Sequence, residues 1–99
     1  MTYVSRFELL RGEVPNDVLD RIVQDLIDSN PGAFEVFRKE PVDALWDYHH
    51  SLGRHIRNHY RLWESPELVM ALCKGGHPDD ASSIVIKELW RRLQNESNS

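Results

Sequence analysis

Apolar residues recur at helical spacing along most of this chain. Val18, Leu19, Ile22, Val23, Leu26 and Ile27 follow the i, i+3, i+4, i+7 pattern of one helical face. Pro15 or Asn16 can open that helix and Ser29-Asn30 ends it. Pro31 can begin a short helix carrying Phe34 and Phe37. Glu40-Pro41 is a break, because the residue before a proline disfavours helical dihedrals. From about residue 41 to 63 the pattern predicts one long central helix. At ~100° per residue, Leu52, Ile56 and Trp63 fall within about 20° of Leu45, and Arg54, Arg57 and Arg61 gather opposite. The phase holds across Gly53, whose missing side chain would let another helix approach closely. Ser65-Pro66-Glu67 supplies a cap, a first turn and a dipole-matching acid for a helix through Cys73, closed by Gly75-Gly76. The last helix starts at His77-Pro78-Asp79-Asp80 and carries Val85, Ile86, Leu89, Trp90 and Leu93 to about Gln94. Trp46, Trp63 and Trp90 are expected as the large pieces of the core.

These elements predict an all-α fold, a compact array of four to five helices around the long 41–63 helix. A single helical domain is expected over residues 1–95, with 96–99 a frayed tail. The first fifteen residues stay ambiguous: TYVSRFELL suits a short strand or a helical turn, and no partner strand is visible. With 99 residues and 40% hydrophobic content, the chain can bury one modest core. No apolar run reaches the ~18 residues of a membrane span. The N-terminus lacks the basic start, apolar centre and cleavage site of a signal peptide. One cysteine, Cys73, cannot form an internal disulfide, which suits a reducing, cytoplasmic setting. Within LVMALC it is expected as a buried structural thiol.

The distribution of charge says more than the net −4. Residues 7–47 hold ten acids and four bases, and residues 64–99 six acids and four bases. Between them, YHHSLGRHIRNHYRLW has no acid, three arginines and four of the five histidines. An acidic chain argues against general nucleic-acid binding, although one basic face can still meet a carboxylate or phosphate.

Candidate chemistry is sparse. HPDD is similar to the first four residues of the His-Pro-Asp-Asp-Glu run of zinc-dependent deacetylases, but Ala81 stands where the glutamate belongs. No downstream His-x-x-His supplies a third ligand. Pro78 suits a first helical turn, and Asp79 and Asp80 place carboxylates on the positive end of the helix dipole, so the motif reads as a helix start. Ser82 and Ser83 serve that first turn. His55 and His59 stand four apart, which is two ligands and not a site, so no metal and no cofactor are expected. Arg54, Arg57 and Arg61 form a basic ridge, either a solvated face or a docking face for an acidic protein or a phosphate-bearing ligand.

Two blocks are shared with a known family. His49-x-x-Leu52-Gly53-x-x-Ile56-Arg57-Asn58, then Leu62-Trp63, matches H-x-x-L-G-x-x-I-R-N…L-W. His77-Pro78-Asp79-Asp80-x-Ser82, Ile86, Trp90 and Leu93 match H-P-D-D-x-S…I…W…L. The chain resembles a family of short bacterial and phage proteins classed as a domain of unknown function. The resemblance implies a helical domain in which the two blocks form one construction, and it supplies no activity. The physical expectation is a clasp: Arg57 on Asp79 or Asp80, with Asn58 or His49 bonding loop backbone. The candidate site is His49, Arg54, Arg57, Asn58, Arg61, His77, Asp79 and Asp80. The expected role is a non-enzymatic interaction module, of adaptor, inhibitor or anti-defence type, whose partner is another protein. The alternative is a small enzyme or ligand-binding protein using His49, Arg57 and the HPDD turn.

Overall fold

The computed structural model describes residues 17–30, 32–73 and 76–97, with side chains to residue 94. Helix α1 (Asp17–Ser29) buries Leu19, Ile22, Val23 and Leu26, the anticipated stripe. The Asn30 amide closes it by donating to the Leu26 carbonyl at 2.8 Å. Helix α2 (Glu35–Arg38) is a single turn that drives Phe37 into the core, edge-on to Phe34 and Tyr48. The ambiguous N-terminal stretch lies outside the described residues.

The stretch 41–63 is not one helix. Pro41 is extended, and a 3₁₀ segment, Val42–Tyr48, follows it. The chain turns at residues 49–51 and then forms α3 (Leu52–His59). Arg61 next adopts a left-handed conformation (φ 54°, ψ 46°), and a short 3₁₀ turn, Leu62–Glu64, comes last. Left-handed backbone costs a residue with a Cβ about 1–2 kcal/mol, so Arg61 is a firm stop. An unbroken ladder would spend the His49 carbonyl on the amide of Gly53. Here that carbonyl faces the Arg57 guanidinium instead, at 3.4 Å. Each piece therefore turns its own face inward: Leu45 from the first, Gly53, Ile56 and Arg57 from the second, Leu62 from the third.

Helix α4 (Pro66–Leu72) has Pro66 in its first turn and buries Val69 and Leu72. Cys73 is extended and fully buried. Gly76 has φ 68°, and a Cβ there would meet Met70 Sδ at 2.6 Å, so conformation and space both favour glycine. Helix α5 (Pro78–Ser97) runs three residues past Gln94. This last helix, and not residues 41–63, is the central element. Residues 81–86 are buried all round, because α1, α2, α3 and α4 all pack against it. No helix among the described residues is long and apolar enough to cross a membrane, and none of them forms a strand.

The core is aliphatic, centred on Leu26, Leu45, Ile56, Leu62, Leu72, Ile86 and Leu89. The tryptophans do not build it. Trp46 is 38% and Trp63 59% exposed, and Trp90 sits at the core's edge, where its indole donates to the Glu40 carbonyl at 2.9 Å. Because α3 stops before residue 63, Leu62 takes the inward position that a continuous wheel gives to Trp63. At the other end of α5, Arg92 pairs with Asp20 on α1 at 2.7 Å.

Candidate functional site

Helix α3 has two opposed faces, and the candidate residues divide between them. Gly53, Ile56 and Arg57 lie at i, i+3, i+4 and face α5. Arg54, His55, Asn58 and His59 lie on the far side and are exposed.

Arg57 is 8% exposed, although the wheel places it outward. Its Nη1 donates to Ser82 Oγ at 3.0 Å and to the His49 carbonyl at 3.4 Å. Its Nε stands 3.4 Å from the Asp79 carboxylate. Ser82 passes the contact on by donating its own proton to the Asp79 carbonyl at 2.8 Å. One guanidinium thus ties together the turn after the first 3₁₀ segment, α3 and the first turn of α5. Gly53 makes room for it: a Cβ at that position would stand 3.0 Å from Arg57 Nη1 and 3.5 Å from Ile86 Cδ1 and Ser82 Oγ.

The HPDD turn is the start of α5. His77 occupies the N-cap, its carbonyl accepting from the Ala81 amide at 3.0 Å. Its Nδ1 accepts from the Asp79 amide at 3.1 Å, the bond an N-cap side chain makes to the second helical residue. The same Nδ1 lies 3.9 Å from the Asp79 carboxylate. The shorter, directional amide bond requires an unprotonated Nδ1 and decides the cap. Ser83 also donates to the Asp79 carbonyl, at 3.0 Å.

Beside the clasp lies a recess of about 350 Å³, lined by Trp46, His49, His50, Asp79, Asp80 and Ser83. Arg57 does not line it. His49 Nδ1 is buried with no hydrogen-bond partner. Among the described residues, neither His49 nor His50 hydrogen-bonds a carboxylate or Ser83. Ser82 is fully buried and its proton is committed to a carbonyl. Among the described residues no three His, Cys, Asp or Glu side chains are placed to hold a metal. His55 and His59 stack on each other, 5.6 Å between centroids and 14° from parallel.

The model of the family described as a domain of unknown function (DUF6794) matches residues 29–93. The chain belongs to that family. No curated protein and no solved structure gives a significant match. The DUF6794 region starts at the end of α1 and contains every residue of the clasp, the recess and both faces of α3.

The anticipated Arg57–Asp79 contact is present, but its companions differ. Asn58 is exposed and, among the described residues, bonds no loop backbone, and His49 contributes its carbonyl instead of its ring. Arg61 is exposed and pairs with Glu64 at 3.4 Å. Sequence reasoning gave Ser82 only a first-turn role and missed it as the receiver of Arg57. Its signal was present, since Ser82 lies three residues after Asp79 on one helix face. Also missed was Tyr60, at the end of α3, whose hydroxyl donates to the Asp25 carboxylate on α1. Burial first, and then the Asp25 bond and charge, push the Tyr60 phenol above its ordinary range.

Proposed function

We propose that this protein is a non-enzymatic protein–protein interaction module, working in the cytoplasm as an adaptor, inhibitor or anti-defence protein. The bacterial or phage origin implied by the sequence resemblance suits that role. The observation that carries the reading is the commitment of Arg57. The one buried cation of the two shared blocks is closed off by Ser82, the His49 carbonyl and Asp79. In the enzymatic alternative, that guanidinium and an activated nucleophile would face an open pocket. The recess offers instead a histidine with a buried, unpartnered nitrogen and a carboxylate already engaged by Arg57. In this reading Arg57, Asp79 and His77 hold the fold, and binding falls to groups that remain exposed.

The test is reconstitution. Affinity capture from bacterial cells nominates a partner, and calorimetry with the two purified proteins measures the complex. The reading expects a saturable complex of defined stoichiometry, and expects Arg57→Met, which keeps the buried stem, to preserve it in the folded protein. Loss of the complex in Arg57→Met at unchanged melting temperature would overturn the structural account of the clasp. Failure of every nominated partner to bind in purified form would overturn the module.

A further inference from the structure

We infer that the solvent face of α3 is the docking surface, and that it takes a short acidic segment of a protein partner. The inference rests on the module reading and names its surface. Arg54, His55, Asn58 and His59 form one exposed helix face, opposite the buried Gly53, Ile56 and Arg57. Past the helix end the left-handed Arg61 has its side chain 78% exposed, and Trp63, two residues later, turns its ring edge-on to His77. Every polar side chain from Arg54 to Arg61 on this face can donate a hydrogen bond, and no carboxylate occurs from residue 48 to 63. The rest of the chain is acidic, so this is where a carboxylate gains most and meets least repulsion.

Size and borders select the occupant. Eight residues of helix span about 12 Å. Both acidic borders lie at the C-terminal end of α3, where Tyr60 brings the Asp25 carboxylate of α1 alongside and Glu64 stands against Arg61. A nucleic acid duplex carries a charge about every 1.7 Å and would run past this short patch onto those two acids and the acidic remainder of the chain. A short peptide segment with two or three carboxylates fits within the helix length and stops short of them. Arg54 can fork onto one carboxylate, Asn58 and the two imidazoles can donate to its neighbours, and Arg61 can exchange its exposed Glu64 contact for another carboxylate.

The experiment is an amide chemical-shift titration of the full chain with a short Glu-rich peptide, its Gln-substituted counterpart and a single-stranded oligonucleotide. The Glu-rich peptide is expected to shift the amides of Arg54, His55, Asn58 and His59 saturably. Affinity should fall about tenfold or more from low to physiological salt, and in the folded double variant Arg54→Glu, Arg61→Glu. Absence of saturable shifts on α3, equal binding of the Gln peptide, or tighter binding of the oligonucleotide to the same amides would each overturn the inference. A reconstituted partner whose cross-links avoid α3 would overturn this surface while the module reading stands.

Discussion

Gly53→Ala provides a direct test of the clasp, because its effect should change sign with residue 57. Replacing glycine by alanine inside a helix normally stabilises by about 1 kcal/mol. Here the new methyl would stand 3.0 Å from Arg57 Nη1, tighter than a relaxed contact. The guanidinium cannot yield freely, since Nη1 is held by Ser82 Oγ at 3.0 Å and the His49 carbonyl at 3.4 Å. Lengthening a charged hydrogen bond and crowding the α3–α5 contact costs about 2 kcal/mol. Gly53→Ala alone should therefore destabilise by about 1 kcal/mol, the difference of these two terms. Arg57→Ala alone should destabilise by about 3 kcal/mol. About 2 of these come from the buried stem and about 2 from the charged bonds, less about 1 returned by releasing a buried charge to water. In the Arg57→Ala background the Gly53 methyl meets only Ile86 and Ser82 at 3.5 Å, an ordinary contact. There Gly53→Ala should stabilise by about 1 kcal/mol, a coupling of about 2 kcal/mol. Urea melts of the four proteins, followed by far-ultraviolet circular dichroism, measure the cycle. Equal effects of Gly53→Ala in the two backgrounds, within about 0.5 kcal/mol, would refute the reasoning.

Ser82→Ala removes the receiver of Nη1 from a fully buried position and should lower stability by about 1–2 kcal/mol, read from the same melts. His77→Ala deletes the N-cap acceptor and should cost about 1 kcal/mol, and His77→Asn, which restores a capping oxygen, should recover most of it. Tyr60 ties α3 to α1, and Tyr60→Phe should destabilise by about 1 kcal/mol at neutral pH. Because folding raises the Tyr60 pKa, the folded state holds that proton more tightly than the unfolded state does. The associated stability is complete below the unfolded value of about 10 and is lost as pH rises from there toward the folded value. Denaturant melts from about pH 8.5 to 11 should therefore slope downward more steeply for the wild type than for Tyr60→Phe, and parallel slopes would count against the assignment.

Much of the helical inventory was legible in the sequence because it rests on local signals. The α1 stripe, the Phe34–Phe37 turn, the Ser65-Pro66-Glu67 start and the proline-acid opening of α5 need only spacing and first-turn chemistry. The 41–63 segment was misread because a helical wheel assumes one unbroken phase. The break is made by tertiary demand: the His49 carbonyl is worth more to the buried Arg57 than to the helix ladder, and Arg61 is held left-handed. Once the phase resets at residue 52, Arg57 turns inward and Trp63 outward, the reverse of the wheel. The Arg57–Asp79 pairing was still found, since a buried base must meet an acid and the HPDD turn offered one. Ser82 was harder to see: its place one turn after Asp79 was legible, but that its hydroxyl accepts from Arg57 emerges only when the two helices are placed together.

The block Leu52-Gly53-Arg54-His55-Ile56-Arg57-Asn58 can therefore be divided by physical role. Gly53, Ile56 and Arg57 answer to α5: their size and bonding fix how closely the two helices approach, so changes there appear as lost stability. Arg54, His55 and Asn58 lie on the opposite, exposed side, where His55 stacks on His59 of the same helix. Their side chains are exposed, and a charge reversal at Arg54 should leave the melting temperature within the small range of surface substitutions, about 0.5 kcal/mol. In the docking reading proposed above, the donors carried by this exposed half fit carboxylates.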